Sequence, residues 1–65
     1  MAADEKKLLG TYEIDQQFSI PRHKLHRLRK RGLWPEPAAS LHMGDVWRHA
    51  DVVAAVRRLR NQGQL

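Results

Sequence analysis

Pro21 and the run Gly32-Leu33-Trp34-Pro35-Glu36-Pro37 fix the two ends of one segment of this chain. Proline fits the opening of a helix, where no intrahelical bond needs its missing amide. Pro35 and Pro37 cannot continue a helix, and Pro35 disfavours helical backbone at Trp34. Between these limits lie six of the twelve Lys and Arg residues, within positions 22 to 31, and no acid falls between Asp15 and Glu36. Leu25 and Leu28, three apart, share one helix face with Ile20 and Pro21 at its start, so the basic segment has a side with which to pack. The spacing predicts a helix from about Pro21 to Arg31, stopped by Gly32. With the leucines inward, His23, His26, Arg27 and Lys30 face outward, Arg22 stands at the N-terminal tip, and Lys24 and Arg31 lie on the flank.

Length and charge point the same way. A chain of 65 residues is one domain at most, and a domain of that size buries only ~60% of the surface its unfolded chain exposes, which leaves no room for a large active-site cleft. The formal charge of +5 and pI of about 10.5 favour a polyanionic partner, because neutralising phosphates releases condensed counterions. With no cysteine there is no disulfide framework and no thiol nucleophile. The longest apolar run, Val52 to Val56, is far short of the ~20 residues of a membrane span, and the N-terminus lacks the apolar core of a signal peptide, so a cytoplasmic location is expected.

Residues 1–7 are charged and patternless and are expected to form a disordered tail, with a single domain over 8–65. Thr11 is placed to cap a short helix through about Gln17, with Ile14 and Phe18 as its apolar stripe and Glu13 near its positive end. Ser19 and Ile20 turn the chain into the basic helix. Beyond the proline loop, Ala38 to Leu41 and Val46 to Arg48 can pair as a hairpin across His42-Met43-Gly44-Asp45. From Ala50, Val52, Ala55, Val56 and Leu59 recur at helical spacing while Arg57, Arg58 and Arg60 lie outside, and Asn61 with Gly63 marks a stop. The expected fold is mainly α: a small winged helix-turn-helix of three helices with a short two-stranded wing.

The run Arg27-Leu28-Arg29-Lys30-Arg31-Gly32-Leu33-Trp34-Pro35-Glu36-Pro37, followed by Trp47-Arg48-His49-Ala50-Asp51-Val52, resembles the small AlpA and phage excisionase family, a winged helix-turn-helix of the MerR type. Its members share a basic helix ending in Arg-Gly, a Pro-x-Pro-like loop and a Trp-Arg-x-x-Asp-Val entry to the last helix. The likeness covers about Thr11 to Leu59. The chain departs from it at Asp15, where a small residue is usual, at Ser19, where glycine is usual, and at the wing tip, where His42-Met43-Gly44-Asp45 replaces Arg or Lys.

Basic clustering and motif together mark a double-stranded DNA interface, against the simpler reading of a solvated charged face. Arg27, with its guanidinium fork, is the candidate for a guanine edge, with His23 and His26 beside it. Arg22, Lys24, Lys30 and Arg31 suit phosphates, and His42 on the wing and Arg48 at its base complete the set. A metal site at His23 and His26 is disfavoured, since six cations surround them and no carboxylate is near in sequence. Trp34 and Trp47 suit a core better than base stacking. No constellation of nucleophile and base, and no glycine-rich phosphate loop, points to an enzyme, a cofactor or a small-molecule substrate.

The resemblance implies an excisionase: an accessory factor that binds repeated DNA sites cooperatively with other copies of itself, bends the DNA and favours excision by a separate integrase. A chain that stops soon after the last helix, without an effector domain, fits that expectation. A stand-alone transcription regulator of the same fold is the alternative, and a protein-binding module or antirepressor with a basic helix docked on an acidic protein is a third.

Overall fold

The computed structural model describes residues 7–42 and 44–65. The first element is a short strand, β1 (Leu8–Leu9), followed by helix α1 (Thr11–Phe18). Gly10, not Thr11, is the N-cap: the Glu13 carboxylate reaches back and accepts the Gly10 N–H at 2.9 Å. The expected cap is thus displaced by one residue, because an acid at the third helical position can satisfy the cap's own amide and glycine tolerates the cap backbone. Ile14 is buried and Phe18 half-buried on the inner stripe. The helix ends at Ser19, whose φ of 58° is left-handed and whose N–H donates to the Asp15 carbonyl at 3.0 Å.

Helix α2 (Arg22–Lys30) starts one residue later than the sequence spacing suggests. Pro21 caps it from outside, its carbonyl accepting the N–H groups of Lys24 and Leu25 at 3.0 Å each. Leu25 and Leu28 are buried, and Arg27, Arg29 and Lys30 complement the negative end of the helix. Gly32, at φ 73°, reverses the backbone so that the Leu33 N–H donates to the Leu28 carbonyl at 2.9 Å. That turn aims Trp34 back into the core.

The wing is a hairpin of β2 (Ala39–Leu41) and β3 (Gly44–Arg48), in register Ala39 with Val46, Ser40 with Asp45 and Leu41 with Gly44. Gly44 and Asp45, expected in the turn, are strand residues. Gly44 has a φ of 130°, a backbone that a side chain would strain, and it lets pairing run to the tip. Met43 lies outside the described residues.

A third strand joins the expected two. β1 pairs antiparallel with the other edge of β3, Leu8 opposite Arg48 and Leu9 opposite Trp47, giving the order β1-β3-β2. The Lys7 carbonyl accepts the His49 N–H at 2.9 Å, so Lys7, read from sequence as tail, is tied to the start of the last helix. Residues 1–6 of that expected tail lie outside the described residues.

Helix α3 (His49–Asn61) closes the domain, burying Val52, Ala55, Val56 and Leu59 and exposing Arg57, Arg58 and Arg60. One apolar cluster joins these residues to Leu9, Ile14, Ile20, Leu25, Leu28, Trp34 and Trp47. The two indoles meet edge to face at 6.4 Å, a favoured geometry for aromatic pairs. Trp47 Nε1 donates to the Pro35 carbonyl at 2.9 Å, which ties the wing to the proline loop. The architecture is a small, mainly α winged helix-turn-helix. Among the described residues no helix is long and apolar enough to cross a membrane.

Candidate nucleic-acid interface

Anchored by Leu25 and Leu28, α2 presents its opposite face to solvent. His23, His26, Arg27 and Lys30 are exposed on it, as the helical wheel requires, and Arg22 is exposed at the first helical position. Lys24 is half-buried on one flank. Arg31, exposed, follows the helix, with its Nη1 3.4 Å from Gln64 Oε1. These seven candidates therefore cover the outward face of α2 and its two flanks. His42 is exposed beyond β2 at the wing's end, and Arg48 is exposed at the opposite end of β3, beside Leu8.

Between α2 and the wing runs an open groove of about 550 Å³. Arg22, His26 and Arg29 line one wall and Leu41, Asp45 and Val46 the other, while Thr11 and Tyr12 at the start of α1 close one end. Tyr12 and Leu41 are 69% and 55% exposed, so two large side chains stand at its rim without cover.

Arg29 was not singled out from the sequence, yet it organises this groove. Its Nη1 lies 2.9 Å from Asp45 Oδ2, the one ion pair among the described residues, and its guanidinium sits 5.3 Å from the centroid of the Trp47 ring. The other Asp45 oxygen accepts the Ser40 hydroxyl at 2.8 Å. Hydrogen bonding from Ser40, aided by Arg29, holds the Asp45 carboxyl below its usual pKa against a smaller opposing effect of desolvation. Asp45 was expected in the turn at the wing tip, but it sits inside β3 opposite Ser40, with its charge spent on Arg29. The positions of Arg22, His26 and Arg29, four and three apart, are readable as a second face of α2. The partner across the groove is not, because it depends on the wing's register.

The remaining polar groups are simpler. Arg58 Nη2 donates to the Leu33 carbonyl at 3.3 Å. Trp34 Nε1 is buried without a partner among the described residues. No group of His, Asp and Glu among the described residues is placed to hold a metal ion. Chemically, the surface offers cations and imidazoles gathered on one helix, which gives it a positive potential.

Comparison with protein-family models, with curated proteins and with solved structures gives no match to this chain.

Proposed function

We propose that the chain is a sequence-specific double-stranded DNA-binding accessory protein, an excisionase that acts in the cytoplasm beside an integrase. The observation that carries this reading is the outward face of α2, where His23, His26, Arg27 and Lys30 are exposed with no acidic partner among the described residues. A helix about 10–12 Å across with its side chains fits a major groove of about 12 Å. In that pose Arg27 forks onto a guanine edge, His23 and His26 meet neighbouring bases, and Arg22, Lys24, Lys30 and Arg31 hold phosphates and set the register. The wing lies along the flanking backbone, with His42 nearest the minor groove.

The recombination role rests on the resemblance carried by Arg27 to Pro37 and by Trp47 to Val52. Bending a short site costs on the order of 1–6 kcal/mol, which several adjacent copies offset more readily than one small domain. Cooperative binding of copies on neighbouring repeats is therefore part of the proposal.

The test is a reconstituted recombination reaction with the integrase encoded nearest this gene and its attachment sites. The expected result is a ladder of cooperative complexes on one attachment-site arm, bend-dependent mobility of circularly permuted fragments, stimulated excision and inhibited integration. A single unbent complex at a promoter, with recombination unaffected, replaces the excisionase by a transcription regulator of the same fold. Absence of salt-sensitive duplex binding replaces both by a protein-binding module.

A further inference from the structure

The cations flanking α2 fall into two groups with different surroundings. On the wing side stand Arg22 and Arg29, and the acids stand there too: Asp45 holds Arg29 at 2.9 Å, and Glu13 lines the same groove. On that side the charge of Arg29 is spent on Asp45. The other flank differs. Helix geometry turns Arg31 away from Arg22 and Arg29 and stacks it one turn beyond Arg27. Next to it, Arg58 extends from α3 to the turn that ends α2, where its Nη2 lies 3.3 Å from the Leu33 carbonyl. Arg31 Nη1 lies 3.4 Å from Gln64 Oε1. Both oxygens are neutral, so they aim a guanidinium without cancelling its charge. Neither arginine has an acidic partner among the described residues.

We propose that Arg31 and Arg58 form a backbone-binding strip that grips phosphodiesters of the duplex on the side of α2 remote from the wing. The proposal rests on the DNA-binding reading above and adds α3 to the interface. A guanidinium already held by one hydrogen bond loses less freedom on meeting a phosphate, and its remaining N–H donors fit two phosphate oxygens. Arg29, on the wing side of α2, cannot do the same without first giving up Asp45. The grip is thus lopsided: strong on the α3 side and weak on the wing side.

The experiment is titration of a fluorescein-labelled mixed-sequence duplex with the full chain over a series of KCl concentrations. Arg31→Gln and Arg58→Gln remove charge while keeping a polar side chain of helix-compatible length, and circular dichroism checks that each variant is folded. Each is expected to make the slope of log affinity against log salt shallower by about 0.9 and to weaken binding roughly five- to tenfold at low salt, with the double variant losing about twice as much slope. Arg58→Lys is expected to keep the slope, and Arg29→Ala to leave it nearly unchanged. Hydroxyl-radical footprinting of the wild-type complex is expected to protect backbone beyond the α2 contact on the side away from the wing. A steep wild-type slope that the folded double variant retains overturns the strip while DNA binding stands. A flat wild-type slope overturns the DNA-binding reading, and the strip with it.

Discussion

Arg29 and Asp45 join the recognition-helix candidate to the wing across a gap of 2.9 Å, with the Trp47 ring 5.3 Å beneath the guanidinium. Arg29 and Asp45 are 37% and 26% exposed, so water screens the pair and its role is geometric: it sets where β3 stands relative to α2. Because the folded Asp45 carboxyl titrates below its usual value of about 3.9, its contribution is present above that pH and is lost as pH falls through the lowered folded pKa. An NMR pH titration of the Ser40 and Asp45 amides should show a wing transition in that acid range, absent from Asp45→Asn. A midpoint at or above the ordinary aspartate value sinks this account of the pair. The same variant should steepen the salt dependence of DNA binding by about 0.9, since Arg29 is then free to meet a phosphate.

Arg27 and Lys30 share the exposed face but differ in chemistry. Arg27→Ala should cost about 1–3 kcal/mol on a cognate site and relax its discrimination, whereas Lys30→Ala should weaken all sequences alike and flatten the salt slope by about one unit. Competition titrations with matched and mismatched duplexes measure the difference. Equal, sequence-blind losses remove Arg27 from base reading.

The two tryptophans predict an asymmetry in stability. Both are buried, but Trp47 Nε1 serves the Pro35 carbonyl while Trp34 Nε1 has no partner among the described residues. Trp47→Phe should therefore destabilise more than Trp34→Phe, by about 1–3 kcal/mol, because only the former strands a hydrogen-bonding group. Trp47→Ala should cost about 3–5 kcal/mol, a large part of what a domain this size has. Urea midpoints for the variants decide the order.

Ser19 is the one described residue other than glycine with positive φ, and it is exposed. Ser19→Gly should raise stability by roughly 0.5–1 kcal/mol, the left-handed strain relieved less the added entropy of the unfolded chain. A lower melting temperature for this variant contradicts that reading of the turn.

Legibility in the sequence followed the range of the interaction. Helix α3 was readable because Val52, Ala55, Val56 and Leu59 repeat at helical spacing over about two turns, and α2 because Pro21, Gly32 and two leucines bracket and orient it. Strand β1 was not, since Leu8–Leu9 is too short to alternate and its partner β3 is remote in sequence. The cap at Gly10 was missed by one residue because threonine is the stronger local signal, although Glu13 three positions on marked it. The outward face of α2 followed from the wheel alone. The Arg29–Asp45 contact required the wing register, and the approach of Arg58 to Leu33 required the placement of α3 beside the end of α2, neither of which local spacing encodes.

The pairing of Leu8 with Arg48 also orders events while the protein is being made. As a chain leaves the ribosome from its N-terminus, α1 and α2 emerge before the strand that pairs with β1 and before the tryptophan and helix that cover Leu25 and Leu28. The α2 face cannot be held rigid by a core that has not yet been synthesised. Nascent chains short of β3 thus carry the basic residues of α2 without the core that orders them into one face, and that face forms only when the ends of the domain are stitched together.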